Sequence, residues 1–368
     1  MEVTYDQVLA WRLRRQGLAP RSTATVEQVV ERLAGVQAQV ASSAELAVAT
    51  RQRRPEPGAV AKALDSRTVV KTWTVRGTLH LHGASQVGAY LSLMASARTW
   101  EKPVWQRNFG VTPGQMEALG EAVDEVLDGR VLTRQELTAA LIGREAFAGL
   151  EPQLTSGWSA VLKPLAWTGH ICHGPAQGAR VTFTAPRSWV PDWSGVPDPE
   201  EAASTVIPAY LRAHGPATPV TFDAWLTRGV SRKAVVRSWF ASLGDRLATV
   251  EVDGVECSLM AADVEALARM RPSREVRLLA GFDQYVLGPG TGDVRIVAPD
   301  RRKAVSRTAG WISPVVVHRG RVAGVWELDA ATVDVRLFAE ADVPMDGLEA
   351  EVEHLAACTG QALSLRAT

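Results

Sequence analysis

The sequence "RTVVKTWTVRGTLHLHG", residues 67–83, contains the clearest strand pattern in the chain. Side chains alternate along it with the two-residue period of a β-strand, and Arg76-Gly77 interrupts the run, which predicts a β-hairpin. Three predicted helices precede it, at residues 22–35, 42–53 and 57–66; the second opens with Ser42 and Glu45 at the spacing of a capping box. Helices closed by a hairpin form the outline of a winged helix-turn-helix.

The same order of elements returns twice along the chain. Helical patterns at 112–130, 131–143 and 157–169 precede a hairpin pattern at 170–186, and the second of these helices has Thr133 and Glu136 at capping-box spacing. Helical patterns at 199–215, 218–229 and 231–245 precede a hairpin that turns at Asp253-Gly254. The sequence therefore predicts an α+β fold with three tandem winged helix-turn-helix motifs, at residues 1–105, 106–195 and 196–265. Short strands and turns after residue 266 predict a small C-terminal β-rich segment, 266–368.

Composition narrows the class of protein. The chain has 368 residues, of which 46% are hydrophobic, enough for two or three packed domains. No window approaches 18 uncharged apolar residues, and the N-terminus has no secretory signal pattern. Three distant cysteines, Cys172, Cys257 and Cys358, argue against a disulfide framework. These features predict a cytoplasmic protein without a membrane span.

The charge pattern leaves two interpretations open. The formal net charge is zero, whereas a nucleic-acid binder usually carries excess positive charge. Arginines nevertheless occur in clumps, at residues 12–15, 51–54, 271–277 and 301–302. A guanidinium suits phosphate oxygens, but such clumps also occur on ordinary solvated helix faces. Winged helices, in turn, bind DNA or serve as protein-interaction modules.

Two glutamines mark the junction between the first two helices of the first motif. In "LAGVQAQVAS", residues 33–42, Gly35 ends one helix and Ser42 starts the next. Gln37 and Gln39 therefore lie on an extended segment with both side chains on one side. Carboxamides can donate and accept hydrogen bonds, so the pair could hold a water molecule or face a cationic heterocycle, although neither can act as a general base. The structural alternative is that the glutamines cap the neighbouring helix ends.

Three blocks of sequence, taken together, carry a resemblance to a known family. The stretches "LAGVQAQVAS", "TWTVRGTLHLHG" (72–83) and "LLAGFDQYVLG" (278–288) resemble the winged-helix DNA glycosylases, over essentially the whole chain. That family has a Gln-x-Gln or Gln-x-Asp triplet near its N-terminus, and residues 37–39 match the Gln-x-Gln form. The resemblance implies the branch that unhooks interstrand crosslinks, whereas the Gln-x-Asp branch removes simpler alkylated bases.

The resemblance also implies an activity. It points to a cytoplasmic, monofunctional hydrolase that cleaves the N-glycosidic bond of N7-alkylated purines in double-stranded DNA and unhooks azinomycin-type crosslinks for self-resistance and repair. Gln37 and Gln39 would be catalytic, the protein would act as a monomer, and neither a cofactor nor a metal is expected. Two alternatives stay open: a non-catalytic DNA-binding regulator or lesion-masking protein, and a housekeeping glycosylase for 7-methylguanine.

A base tied to the opposite strand cannot swing freely into a pocket, so the resemblance predicts an open, C-shaped cleft with a basic lining. The residues expected to contact DNA there are Arg51, Arg53, Arg54, Lys71, Arg76, His318, Arg319 and Arg321. The last three belong to "VVVHRGRVAGVW", residues 315–326, which predicts a hairpin with three basic residues at its tip; an ordinary exposed turn is the alternative.

Other candidate residues receive structural interpretations. His170, Cys172 and His173 lack a second ligand pair at zinc spacing, so no metal site is predicted. His80 and His82 alternate on a strand and should share one face, where they either hydrogen-bond locally or touch DNA. Asp283 is expected to be structural rather than a catalytic acid. Trp73 and Trp311 are predicted to lie in the core.

Overall fold

The first two elements pack away from the motif that follows them. The computed structural model describes all residues, 1–368, and begins with β1 (Glu2–Val3) and α1 (Tyr5–Arg15). Thr4 and Gln7 form a reciprocal capping box at the start of α1. The buried side chains of α1 join a core that also contains the C-terminal strands. The N-terminal helix α1 therefore packs directly against the C-terminal region of the chain.

Six elements build the first helix-and-hairpin unit. They are α2 (Val26–Arg32), β2 (Val36–Gln37), α3 (Ala41–Ala49), α4 (Ala59–Asp65), β3 (Val69–Trp73) and β4 (Leu79–Gly83). The strands form an antiparallel sheet in the order β2-β4-β3. The predicted capping box at Ser42 is wrong, because α3 begins at Ala41 after Val40 without a side-chain cap. Glu45 instead accepts a hydrogen bond from the Val60 amide, at 3.2 Å, and ties α3 to α4.

The second unit repeats this order after two connecting helices, α5 (Val87–Ser96) and α6 (Pro103–Phe109). Its elements are α7 (Pro113–Leu127), β5 (Leu132–Thr133), α8 (Arg134–Ile142), α9 (Glu151–Thr155), α10 (Leu162–Trp167), β6 (Cys172–His173) and β7 (Thr182–Thr184), followed by α11 (Pro186–Trp189). The sheet order β5-β7-β6 matches that of the first unit. The predicted capping box between Thr133 and Glu136 is present.

The third unit carries the longest hairpin. Its elements are α12 (Pro199–His214), α13 (Pro219–Thr227), α14 (Lys233–Ser242), β8 (Leu247–Val252) and β9 (Val255–Met260). Asp253 and Gly254 both have positive φ, as the predicted tight turn requires. A single bridge from Ala217 to Ser258 takes the place of a first strand, and β1 adds to the other edge in parallel with β8.

The C-terminal region is a five-stranded sheet with a long helix. It contains α15 (Val264–Ala268), β10 (Val276–Leu279), α16 (Gln284–Leu287), α17 (Arg302–Val305), β11 (Val315–His318), β12 (Arg321–Asp329), β13 (Thr332–Leu337), α18 (Met345–Thr359) and β14 (Ser364–Ala367). The strand order is sequential from β10 to β14. The sequence analysis missed α18, whose Leu348, Val352 and Leu355 pack on this sheet.

The α+β fold class is confirmed, and the predicted order of helices and hairpin is present three times. The four domain bounds stay a prediction. None of the helices is both long and apolar enough to cross a membrane. The sheet β2-β4-β3 separates two hydrophobic cores. One face carries Val36, Leu81 and Val69 against the helices of its own unit, and the other carries Val70 beside α5 and α12.

Candidate active site

Gln37 ends β2 and Gln39 lies in the short segment before α3, so both glutamines are outside any helix. Val36 and Ala38 are buried in the core of the first unit, so alternation along the extended chain places Gln37 and Gln39 on the opposite face. Gln37 is 7% exposed, whereas Gln39 is open to solvent. Alternation therefore directs both side chains to the same side of the chain, with Gln37 nearly buried and Gln39 exposed.

Neither carboxamide is engaged by the protein. Neither amide is hydrogen-bonded to another protein group, and none of their polar atoms is sealed from solvent. No side chain caps α3, and the end of α2 is closed by backbone amides. The alternative in which the glutamines cap helix ends is therefore wrong. The pair keeps its full donor and acceptor capacity for a ligand.

A row of polar side chains continues from Gln37 across the sheet. Gln37 is paired with His80 of β4, and His80 is paired with Thr72 of β3, so the three side chains share one face. His80 Nδ1 lies 3.1 Å from the carbonyl oxygen of Thr78, while His80 Nε2 and Thr72 Oγ1 are buried without a hydrogen-bond partner. Burial, with a contribution from Arg76, lowers the pKa of His80 to about 3. His80 is therefore neutral at physiological pH.

His82 fixes the backbone next to the glutamines. Its Nε2 lies 2.8 Å from Thr74 Oγ1, and its ring is 3.9 Å from that of Tyr90, centroid to centroid. Burial holds its pKa well below the usual value. Gly35 has φ +105°, and a Cβ added there would lie 2.5 Å from His82 Cε1. The prediction that His80 and His82 share a face and bond locally is confirmed.

Arg51 is not a DNA contact, contrary to the prediction from its clump. Its side chain has no solvent exposure. Its guanidinium donates to both carboxylate oxygens of Asp283 at 2.7 Å, to Ala47 O at 2.6 Å and to Gln16 Oε1 at 3.2 Å. Asp283 also accepts from the Tyr285 amide at 2.8 Å. The structural interpretation of Asp283 is confirmed, and the ion pair joins the segment after α3 to the start of α16.

Of four other residues that were predicted to contact DNA, two are exposed and two face inward. Arg53 and Arg54 are exposed and form no salt bridge. Lys71 belongs to the row of Val36 and Leu81, on the other face of the sheet from Gln37, and burial lowers its pKa. Arg76 donates to Leu287 O at 3.0 Å, and its other terminal nitrogen has no partner. The structure does not bring Lys71 together with the glutamines.

The arginine next to His80 has cationic neighbours. Burial and Arg228 lower the pKa of Arg76 to about 10, and burial and Arg228 also lower the pKa of Lys163. None of these three cations forms a salt bridge. Arg228 and Lys163 are residues that the sequence analysis missed, because each belongs to a different unit. Packing of α13 against the turn at Arg76 brings Arg228 to this arginine, and packing of α10 on β3 brings Lys163.

The tip of the C-terminal hairpin differs from the prediction of three free basic residues. The strand–turn–strand form is present, but His318 is buried and Arg321 pairs with Asp6 at 2.7 Å. Gly320 packs on Leu9 of α1, where an added Cβ would lie 2.6 Å from Leu9 Cβ, and Gly320 O accepts from the Tyr285 hydroxyl at 2.7 Å. Arg319 is exposed and forms no salt bridge. The turn is therefore anchored, with Arg319 unpaired and Arg321 exposed in a surface ion pair with Asp6.

Two further predictions concern tryptophan and metal. Trp73 is in the core, as predicted, but Trp311 is 44% exposed and leans edge-on against Phe282, with ring centroids 5.1 Å apart. The prediction that Trp311 is a core residue is wrong. No group of three histidine, cysteine, aspartate or glutamate side chains is arranged to hold a metal ion. His170 instead contacts Asp124 at 2.9 Å.

Comparisons with known proteins identify the family and the relatives of this chain. The family model described as "DNA glycosylase AlkZ-like" matches residues 30–358. The chain is 49% identical over 362 residues, 98% of each protein, to an interstrand DNA cross-link repair glycosylase from Streptomyces sahachiroi. The structure of the present chain resembles that of Streptomyces sahachiroi DNA glycosylase AlkZ, with a TM-score of 0.97 and 48% identity over the whole of both chains.

Proposed function

This chain belongs to the AlkZ-like family of DNA glycosylases, and from that premise we propose that it unhooks interstrand crosslinks by hydrolysing the N-glycosidic bond of N7-alkylated purine nucleotides. A glycosylase breaks the bond between base and sugar and leaves an abasic site. The observation that carries the proposal is that the carboxamides of Gln37 and Gln39, at the junction between β2 and α3, have no hydrogen-bond partner in the protein.

The chemistry explains why neutral side chains suffice. Alkylation at N7 gives the purine a positive charge and weakens its bond to the sugar, so no carboxylic acid is needed to protonate the leaving group. The enzyme must place a water molecule at C1′ and stabilise the charge that develops on the sugar. Gln37 and Gln39 supply hydrogen-bonding groups for that water, and neither changes charge near neutral pH.

The position of the pair suits a base that cannot leave the duplex. A crosslinked purine is tied to the opposite strand, so a deep pocket for an extruded base would exclude it. Gln39 is exposed, and Gln37, two residues earlier in the chain, is nearly buried. We infer that the duplex lies at the exposed edge of the sheet, beside β2, where Gln39 reaches solvent, with Arg53, Arg54 and Arg319 as its basic contacts. A C-shaped cleft, action as a monomer and the absence of a metal stay predictions.

One assay tests this function against its alternatives. The protein is incubated, with a chelator present, with 7-methylguanine DNA and with an N7-crosslinked duplex, and alkali-labile sites are measured. A crosslink glycosylase unhooks the second substrate. A housekeeping glycosylase acts only on the first, and a lesion-masking or regulatory protein on neither.

Two variants test the residues. Gln37→Ala and Gln39→Ala should each release base about 10²–10³ times more slowly, the cost of one polar group in a preorganised site. Both should bind DNA nearly as well as the wild type. Gln361→Ala is the matched control, because Gln361 is exposed in a C-terminal loop, and it should leave the rate unchanged. Wild-type release by both active-site variants rejects the assignment.

A further inference from the structure

His80 is the nearest cross-strand neighbour of Gln37. The two residues are directly paired between β2 and β4, where opposed Cβ atoms are typically about 5 Å apart. Both are buried, and neither the Gln37 carboxamide nor His80 Nε2 has a hydrogen-bond partner in the protein. A buried nitrogen without a partner costs free energy, and such exceptions in native proteins call for an explanation.

The contacts of His80 define which of its nitrogens is an acceptor. Nδ1 faces the carbonyl oxygen of Thr78, which only accepts hydrogen bonds, so Nδ1 carries the proton. Nε2 of the neutral ring is then a lone pair on the sheet face that carries Gln37. Burial favours this neutral form, in line with the lowered pKa of His80.

Resting on the proposed function, we propose that His80 is a positioning residue for Gln37. Its Nε2 accepts an N–H of the Gln37 carboxamide, and the carboxamide oxygen is left to accept a hydrogen from the attacking water. A carboxamide without a partner can present either its oxygen or its NH2 group to a ligand. His80 Nε2 accepts but cannot donate a hydrogen bond, so it binds only the NH2 group of Gln37. Catalytic hydrogen bonds often close only once substrate is bound, and rotation of the Gln37 side chain completes this one.

Thr72 provides a matched control in the same row. Its hydroxyl is also buried without a partner and lies next to His80, but the strand order β2-β4-β3 places it on the side away from Gln37. If the row matters only through packing, a change at Thr72 should slow base release as much as a change at His80. If His80 acts through Gln37, Thr72→Val should leave the rate within twofold of the wild type.

The test uses two substitutions that separate the nitrogens of His80. The amide of His80→Asn reaches the position of Nδ1 and keeps a donor for Thr78 O, but leaves no acceptor at Nε2. The longer side chain of His80→Gln places an oxygen near Nε2. Single-turnover release of 7-methylguanine should fall about tenfold in His80→Asn, with the DNA dissociation constant within twofold, and should recover in His80→Gln.

The decisive comparison is the double variant. In Gln37→Ala/His80→Asn, release should be no slower than in Gln37→Ala, because His80 then has nothing to position. An unchanged rate in His80→Asn, a further tenfold loss in the double variant, or an equal loss in Thr72→Val overturns the inference about His80 alone. Wild-type release by Gln37→Ala overturns the role of Gln37 as well. Thermal unfolding identifies folded variants, and His80→Leu replaces His80→Asn if the latter does not fold.

Discussion

Replacing Arg51 by methionine tests the contribution of its buried ion pair with Asp283. The guanidinium and the Asp283 carboxylate share two hydrogen bonds of 2.7 Å, and both side chains are fully buried. Methionine fills much of the same volume but leaves the carboxylate without its cation. Removing one partner of a buried pair typically costs about 3–5 kcal/mol, most of it from the charge left unpaired. We expect a loss of that size in the free energy of unfolding.

The assay is urea unfolding of Arg51→Met beside Arg53→Met, a matched control two residues away whose side chain is exposed. The control should change stability by less than about 0.5 kcal/mol. Asp283→Asn added to Arg51→Met should recover part of the loss, because it removes the buried charge. A loss below about 1 kcal/mol in Arg51→Met, or no recovery in the double variant, would show that the unpaired Asp283 carboxylate is not costly.

Three further predictions follow from single features. Gly35→Ala should destabilise the protein by about 1–3 kcal/mol in thermal unfolding, because the new Cβ meets the His82 ring and the residue has positive φ; wild-type stability would show that the ring moves freely. Three buried histidines, His80, His173 and His214, have pKa values of about 3, against 6.5 when unfolded. Below pH 6.5 the unfolded chain therefore binds more protons than the folded protein. The free energy of unfolding should be highest above pH 6.5 and fall towards pH 3, by up to about 1.4 kcal/mol per pH unit for each histidine. Urea unfolding at pH 7 and 5.5 checks the sign. Arg53→Gln and Arg54→Gln should each reduce the salt slope of DNA affinity by about 0.9 if each contacts one phosphate, and an unchanged slope would remove that residue from the interface.

Much of the fold could be read from local patterns. The hairpin at residues 67–83 was predicted because alternation and the break at Arg76-Gly77 are local signals, and the structure has strands on both sides of that break. Thr133 and Glu136 likewise form the cap that their spacing indicated. The long helix α18 was not predicted, although Leu348, Val352 and Leu355 have helical spacing and pack on the C-terminal sheet.

The site was only partly predictable, because its chemistry depends on contacts between distant segments. The glutamines stand out locally, since an extended pair of amides between two helices is visible in the sequence. The partner of Arg51 lies 232 residues away, so an arginine in a basic clump gave no sign that it was buried. The row from Gln37 through His80 to Thr72 needs the register of three strands. Trp311 looked like core by residue type alone, and only the packed structure shows its exposed edge.

The most direct test of the account is the single-turnover rate of base release from an N7-crosslinked duplex by Gln37→Ala/Gln39→Ala at saturating protein. The two carboxamides are the only groups assigned to hold the water. The double variant should therefore lose at least the 10²–10³-fold that one polar group supplies, while its DNA affinity and unfolding midpoint stay near those of the wild type. Release within tenfold of the wild-type rate, by a folded variant that binds DNA normally, would contradict the claim that these amides guide the water.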